Sequence, residues 1–583
     1  MGLKKQNSYA GFLKRLREDV GGNVLIMTAA MLVPLVTFSG CAVDSARLYF
    51  VKARLQQACD AGVLAGRKFI STSGTTLDAT ASAQATAFFN NNFHSGLFGT
   101  TGVAFTPGKT SDGQVSGTAR ATVPMTLMSM FGISAQQLSV TCEARFDVAD
   151  TDVIFVLDTT GSMACLPNDS DSTCSSYVGA TNAVSYTRPA DGSASGNDSV
   201  AGYPGSTGYY VPEKSGSRIA ALRTAVLSFF DTLATASDPS THIRYGFVTY
   251  TSTVNAGKAI MSVSSAYMVG GANSPNKSWN YQTRYQYGTS NGTPQWRYQQ
   301  LALDVSNLVN NASSTDPTKV SATSQWAGCI EEAATTAGAG SFSLAALPND
   351  LNPDLTPTSN IATQWKPMWP DVIYARNGFG GTGTATSNGD SSNHPNIGAP
   401  SYLQDGYVSC GKPVARLKTM TRSDVSAYVN AADFRPIGGT YHDIGMIWGT
   451  RLLSPGGIFA GDTVAWPGHS APNRVIVFLT DGDMAPNSAI YGLYGIEYYD
   501  RRVTNGSFGN ARQYHNARFL AECSAAKSRN ISVWTVSIAP GVSSEMRSCA
   551  TTSAQALSTT DGTGLSTTFA TIAKQVAMLR ISK

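Results

Sequence analysis

The sequence contains few charged residues. Asp, Glu, Lys and Arg together make up 14% of the 583 residues, whereas soluble domains average about 25%. The net charge is only +4, and no dense cluster of Lys and Arg occurs downstream of the N-terminal segment. Because nucleic-acid binding requires a basic surface, the composition argues against a nucleic-acid partner.

Recognisable catalytic motifs are also missing. The six histidines are scattered, and no His-Glu-x-x-His sequence occurs. Residues 378–383 match a dinucleotide-binding pattern but lead into no helix, and residues 288–292 match a nucleophile elbow but follow a polar run rather than a buried strand. His442 is expected to be solvated or to cap a helix rather than to act as a base. We therefore predict that the protein is not an enzyme.

An uncharged, mostly apolar run extends from Val20 to Val43. As a helix, this run is long enough to cross a bilayer. Basic side chains precede it, so the positive-inside rule predicts a cytoplasmic N-terminus and an exported remainder. We expect a cytoplasmic tail at 1–21 and a transmembrane helix at 22–43 of a single-pass inner-membrane protein whose bulk is periplasmic. The high content of Gly (56 residues) and the nine Cys also favour export.

Two forms of cleavage compete with this anchor. Phe38-Ser39-Gly40-Cys41 resembles a lipoprotein cleavage box, but Phe38 fits it poorly and the helical pattern continues through it. A pilin-type cleavage after Gly21 or Gly22 would lack the glutamate expected five residues later. We favour an uncleaved anchor.

A membrane-proximal helix is predicted at residues 44–70, with one apolar face that becomes rich in small side chains. That face could pack on the helix's own domain, or it could assemble with similar helices. The sequence from Gly21 to Gly66, GGNVLIMTAAMLVPLVTFSGCAVDSARLYFVKARLQQACDAGVLAG, resembles the N-terminal segment of TadE/TadG-like proteins. The resemblance implies a component of a tight-adherence (Flp) pilus assembly system. Residues 71–148 alternate like strands and predict a small β-rich module.

Two continuous apolar runs, 152–158 and 474–480, are typical of strands buried on both faces of a parallel sheet. Asp158-Thr-Thr160-Gly-Ser162 ends the first run, and Asp481 follows the second. Ligands of open α/β sheets collect beyond such strand ends. We expect Thr440, which precedes a predicted helix, to join them. Such oxygen ligands suit a hard cation, Mg²⁺ first, with Mn²⁺ or Ca²⁺ possible.

This arrangement resembles the von Willebrand factor A domain and its metal-ion-dependent adhesion site. The motif Asp-x-Ser-x-Ser corresponds to Asp158, Thr160 and Ser162, the distant threonine to Thr440 and the last aspartate to Asp481. The resemblance implies a doubly wound, mostly parallel, Rossmann-like α/β fold over residues 150–583. It also implies a protein partner that supplies an acidic side chain to the metal. The alternative is a degenerate, metal-free site whose aspartates only cap structure.

Two insertions are expected in that domain, at about 164–216 and 255–421. The first is predicted to be a long loop. It either controls the access of a partner to the metal or is a variable surface segment without a role in binding. The second is rich in Trp and Tyr, which form either a binding surface or the core of a loop-rich subdomain. Three disulfides are plausible in an oxidising periplasm: Cys165 with Cys174, Cys329 with Cys410, and Cys523 with Cys549.

These features favour a bitopic pilus-assembly protein that binds a protein partner, such as another assembly component, through Mg²⁺. A surface or matrix-binding adhesin with the same domain is the alternative. A metal-dependent hydrolase is disfavoured because no convincing base lies near the hydroxyl groups.

Overall fold

The chain forms two compact units, Met1–Asp147 and Val148–Lys583, each with its own hydrophobic core. The structure, a computed structural model, describes residues 14–15, 23–69, 76–110, 114–144, 150–189, 207–237, 241–290, 292–310, 313–316, 323–369, 409–467, 469–488 and 490–578.

The predicted transmembrane and membrane-proximal helices form one continuous helix, α1 (Asn23–Lys68), with Pro34 inside it. Its first half is apolar and exposed within the unit, as at Ile26 and Leu35, which are 68% and 66% exposed. The segment Ile26–Lys68 is long and apolar enough to span a membrane. Helix α3 of the second unit (Arg218–Ala236) passes the same test, but its apolar face is part of a hydrophobic core.

The second half of α1 packs on its own unit. Of the two roles considered for its small-residue face, this is packing on its own domain rather than assembly with similar helices. A Cβ atom at Gly62 would lie 2.9 Å from the ring of Phe105 and 3.0 Å from the carbonyl oxygen of Ala85. A disulfide joins Cys59 of α1 to Cys142. Close packing and a covalent link therefore fix this half of α1 to the sheet beside it.

The segment expected to be only β-rich also contains a helix. Helix α2 (Ala79–Asn92) begins after Asp78, whose carboxylate accepts the Ala81 N–H at 2.8 Å. Its buried face consists of Ala81, Ala85 and Phe89. These side chains are small for the most part, so the helical period is weak in the sequence. The antiparallel three-stranded sheet contains β1 (Thr101–Lys109), β2 (Val115–Pro124) and β3 (Ala135–Ala144).

The second unit has a mixed α/β fold built on a six-stranded sheet in the order β6-β5-β4-β7-β8-β9. All neighbours are parallel except β6 and β5, so one edge strand is antiparallel. Strand β4 is fully buried, as its continuous apolar run predicts. The strands are β4 (Thr151–Asp158), β5 (Ile243–Tyr250), β6 (Ala415–Lys418), β7 (Asn473–Thr480), β8 (Ile531–Ile538) and β9 (Ala556–Thr559).

Helices cover both faces of this sheet. On one face Phe155 of β4 packs against Phe229 and Phe569, at ring-centroid distances of 5.0 and 6.2 Å. On the other face, Gly445 and Gly449 bring a helix close to β4, because a side chain there would collide with Tyr250 or Val156. The helices are α3, α4 (Arg422–Val429) and α7 (Gly562–Met578) on the first face, and α5 (His442–Leu453) and α6 (Ala511–Ser528) on the second.

Both predicted insertions contain regular structure, which corrects the expectation that the first is a long loop. The segment 164–216 is not simply a loop, because it holds a helix (Asp171–Ala180) and a hairpin (Val184–Thr187 with Thr207–Tyr210). The segment 255–421 includes a hairpin (Ser278–Ser290 with Thr293–Asp304), and its last residues form β6 of the central sheet.

Among the described side chains of the larger segment, several aromatic residues form a core. Trp326, Trp365 and Trp369 are each at most 2% exposed and belong to the same apolar cluster as α5. The structure also contains the three disulfides expected in this unit, and among the described residues Cys41 is the free cysteine.

Candidate functional site

The five residues singled out as metal ligands lie together at one edge of the central sheet. Asp158 is the last residue of β4, and Asp481 directly follows the neighbouring parallel strand β7. Thr160 and Ser162 lie in the turn after β4, and Thr440 precedes α5. Because β4 and β7 run parallel, their carboxyl ends meet at the same edge.

A chain of hydrogen bonds connects these residues. The Thr440 hydroxyl lies 3.4 Å from the Thr160 hydroxyl, which lies 3.0 Å from that of Ser162. Ser162 donates to Oδ1 of Asp481 at 2.9 Å. The backbone N–H of Thr160 donates to Oδ1 of Asp158 at 2.8 Å. Ser162 is half-buried and the other four side chains are buried, so Ser162 lies nearest to solvent.

Sequence reasoning missed two residues that hold Asp158 in place. Its Oδ2 atom accepts hydrogen bonds from the Thr480 hydroxyl at 2.9 Å and from the Tyr250 hydroxyl at 3.4 Å. Thr480 also lies 2.9 Å from Nε2 of His442. His442 is only 3% exposed, so the expectation that it is solvated is wrong. Thr480 and Tyr250 are the last residues of β7 and β5, so the strand-end argument used for Asp158 would have found them.

Sequence reasoning also missed Arg218, the first residue of α3. Its Nη1 atom lies 2.9 Å from Oδ2 of Asp481, and both side chains are almost fully buried. The same guanidinium donates to the carbonyl oxygens of Leu166 and Asp169, at 3.1 and 3.0 Å. Arg218 therefore provides a positive charge to the site and fixes the start of the first insertion beside it.

The site holds two buried carboxylates and one buried guanidinium. Burial, together with the negative charge of Asp481, raises the pKa of Asp158 to about 7. Burial also raises the pKa of Asp481, although Arg218 opposes that shift. A second positive charge would stabilise both carboxylates as anions.

The donor atoms suit a hard divalent cation. They are two carboxylates and three hydroxyl groups, without nitrogen or sulfur, and Mg²⁺ and Ca²⁺ prefer such oxygen ligands. The deficit of positive charge beside Asp158 points the same way. The residues present therefore fit a bound Mg²⁺, with Asp158, Thr160, Ser162, Thr440 and Asp481 as its candidate ligands.

Comparison with known proteins identifies one family in the N-terminal part of the chain. The family described as "Putative Flp pilus-assembly TadE/G-like" matches residues 22–85, which contain α1 and the beginning of α2. This match confirms the TadE/TadG-like N-terminal segment and supports a pilus-associated role. No curated protein sequence matches the chain.

Solved structures with some likeness include two pilus proteins. The pilus adhesin SpaC from Lactobacillus rhamnosus GG matches with 9% identity and a TM-score of 0.27, over 82% of this chain and 34% of that chain. The PilB minor pilin from Streptococcus sanguinis matches with 10% identity and a TM-score of 0.29, over 82% and 78%. The proximal thread matrix protein 1 of the mussel byssus matches with 16% identity and a TM-score of 0.19, over 28% and 34%. The chain thus spans about a third of the length of the SpaC chain.

Proposed function

We propose that the protein is a bitopic inner-membrane component of a tight-adherence (Flp) pilus assembly system. Its exported unit, Val148–Lys583, is a von Willebrand factor A-type domain that binds a protein partner through Mg²⁺. The main support is the convergence of five side chains at one edge of the sheet, where two buried carboxylates face a single buried guanidinium. These side chains are Asp158, Thr160, Ser162, Thr440 and Asp481.

Two observations support the proposed membrane anchor: the exposed apolar half of α1 and the family match. The exposed apolar residues of its first half have no partner in the described part of the unit, as a lipid-facing helix requires. Lys14 and Arg15 precede it and favour a cytoplasmic N-terminus. The TadE/G-like match over residues 22–85 supports assembly with pilus components.

The strand order of the central sheet and the position of the site support a von Willebrand factor A-type domain. Numbered along the chain, the six strands lie in the order 3-2-1-4-5-6, which is the order of doubly wound α/β folds. Four of the five candidate ligands, all except Thr440, follow the first and fourth of these strands, where the order reverses. Ligands of open α/β sheets bind at this switch point.

The neighbouring residues prepare the site for a cation. Thr480 and Tyr250 orient Asp158, and Arg218 holds Asp481 and neutralises part of its charge. When bound, Mg²⁺ would supply a Lewis-acidic position for a carboxylate oxygen of the partner. The three hydroxyls are neutral, and Arg218 offsets the charge of Asp481, so the two carboxylates would not fully cancel the charge of the ion and the site could attract that acidic group.

Metal-dependent partner binding tests the proposal. The full chain, solubilised in detergent, is incubated with pilus-assembly proteins of the same cell in Mg²⁺ or in EDTA. Wild type should retain a partner in Mg²⁺ only, and Asp158→Asn should retain none.

Asp483→Asn is the matched control, because Asp483 lies two residues after Asp481 but its side chain is 68% exposed and pairs with Arg512 at the surface. It should behave as wild type. Equal retention of partners in Mg²⁺ and EDTA would contradict a metal-dependent contact.

A further inference from the structure

A second group of potential metal ligands lies at the opposite edge of the same sheet. Asp150 directly precedes β4, and His242 directly precedes β5. His469 lies in the segment that leads into β7. Because β4, β5 and β7 are parallel neighbours, their amino ends meet, and three residues that are distant in sequence come together.

The Asp150 carboxylate lies between the two imidazole rings. Its Oδ1 atom is 3.1 Å from Nδ1 of His242, and its Oδ2 atom is 3.0 Å from Nδ1 of His469. One ligand atom from each residue can be chosen so that all three lie within 4.8 Å of one another. The two rings pack edge to face at a centroid distance of 4.8 Å. The three side chains thus converge on one point.

The carboxylate is buried and incompletely satisfied. Asp150 is fully buried, and its Oδ1 atom accepts the backbone N–H of His242 at 2.9 Å. Its Oδ2 atom is also buried but accepts no hydrogen bond from the described residues, although Nδ1 of His469 is close. A buried carboxylate oxygen without a donor, beside two imidazole nitrogens, has the surroundings of a metal ligand.

The surroundings hold the ligands in position. Trp466 stacks on the His242 ring at a centroid distance of 5.0 Å, and the guanidinium of Arg244 lies 3.8 Å above the Trp466 ring. The His242 and His469 side chains remain 44% and 31% exposed. A metal would therefore be fixed by the protein on one side and accessible to water or another ligand on the other.

We propose that Asp150, His242 and His469 form a zinc site. Two imidazoles and one carboxylate are a common set of three protein ligands for Zn²⁺ with an open fourth position. Mg²⁺ prefers oxygen ligands and is a poor match.

This zinc site is independent of the proposed Mg²⁺ site. Asp150 and Asp158 stand at opposite ends of β4, about 25 Å apart at the usual rise per residue of a strand. Bound zinc would join the beginnings of three core strands near the start of the second unit. We expect a structural role for it, with the fourth position filled by water.

Zinc binding by the full chain tests the proposal. Tag-free protein in detergent is treated with EDTA, exchanged into buffer, equilibrated with ZnCl₂ and analysed for bound metal and affinity. Wild type should bind one Zn²⁺ in competition with excess Mg²⁺. Co²⁺, used as a spectroscopic probe, should give the visible absorption of a nitrogen- and oxygen-coordinated ion.

The variants identify the ligands. His469→Gln and His242→Gln should each lower zinc affinity at least tenfold and remove the Co²⁺ spectrum, with native tryptophan fluorescence showing that the fold persists. His94→Gln is the matched control, because His94 is an exposed histidine of the other unit, and it should bind as wild type. Asp158→Asn should also keep zinc, which separates this site from the Mg²⁺ site. No bound zinc in wild type, or unchanged affinity in both histidine variants, would overturn the proposal.

Discussion

At the scale of single residues, charge balance decides how the candidate Mg²⁺ site behaves. Asp158 and Asp481 are both buried, and Arg218 forms its ion pair with Asp481. Removing one partner of a buried ion pair leaves an uncompensated charge, which is more costly than losing an exposed pair. Three predictions follow from this balance and from the burial of His442.

Arg218→Ala should destabilise the second unit strongly. The substitution leaves the Asp481 carboxylate without its counter-charge and removes two hydrogen bonds to the first insertion. We expect the free energy of unfolding to fall by about 3–5 kcal/mol. Tryptophan fluorescence in denaturant measures it, since all eight tryptophans lie between Trp279 and Trp534 and report on the second unit alone. A loss below 1 kcal/mol would show that the pair contributes little.

Asp158→Asn should have opposite effects with and without metal. In EDTA the neutral amide removes the cost of burying a charge and the repulsion from Asp481, which together raise the pKa of Asp158. The unfolding free energy at pH 8 should therefore rise, by on the order of 1 kcal/mol. In Mg²⁺ the variant should gain no further stability. A variant less stable than wild type in EDTA would mean that the carboxylate is stabilising by itself.

Stability should also decrease in acid because of His442. Burial lowers the pKa of His442 to about 4, whereas an imidazole in the unfolded chain titrates near 6.5. Between these pH values the unfolded state binds more protons, so the unfolding free energy falls as the pH falls from 6.5 towards 4.

Between pH 7 and pH 5, wild type should lose about 2 kcal/mol more than His442→Gln, measured by denaturant titration of tryptophan fluorescence. The glutamine can keep a hydrogen bond to Thr480 but cannot take up a proton. Equal losses in both proteins would contradict the buried, neutral histidine.

At the scale of elements, the contact between α5 and β4 positions Thr440 relative to Asp158. Gly445 allows this contact, since a Cβ atom there would lie 2.5 Å from the Tyr250 ring. Gly445→Ala should therefore lower the unfolding free energy by about 1–3 kcal/mol despite the better helix propensity of Ala. Gly179→Ala is the control, because its helix leaves open space at that position. It should be neutral or slightly stabilising.

The sequence predicted the long apolar elements well and the small or polar ones poorly. The apolar runs 152–158 and 474–480 form strands β4 and β7 as expected, because continuous burial leaves a continuous apolar run. Helix α2 was missed, since Ala and Thr side chains carry little amphipathic signal. The helix Asp171–Ala180 was missed within a segment rich in Ser, Gly and Asn.

The same distinction applies to the candidate sites. The proximity of the five candidate ligands could be predicted, because a motif places four of them after strand ends and Thr440 before a helix. Arg218 could not, since only the fold shows that the start of α3 faces Asp481. His242 and His469 were dismissed as scattered histidines, and only the parallel alignment of the strand beginnings brings them to Asp150.

At the scale of the whole molecule, the chain combines a helix that is long and apolar enough to span a membrane with a second unit that contains three disulfides. The first unit contains α1, which is apolar enough to span a membrane, and the TadE/G-like match. One disulfide lies within the first unit and three lie within the second. Disulfides suit an oxidising compartment. The charge-poor composition is therefore consistent with a protein that presents a binding surface outside the cytoplasm.

The thermal stability of the second unit in Mg²⁺ and in EDTA tests the central claim most directly. Tryptophan fluorescence of the full chain in detergent follows this unit, and wild type is compared with Asp158→Asn and the surface control Asp483→Asn. Mg²⁺ at a hundred times its Kd should stabilise wild type and the control by about 2.7 kcal/mol and raise their Tm, and should leave Asp158→Asn unchanged. An identical Tm of wild type in Mg²⁺ and in EDTA would contradict the account.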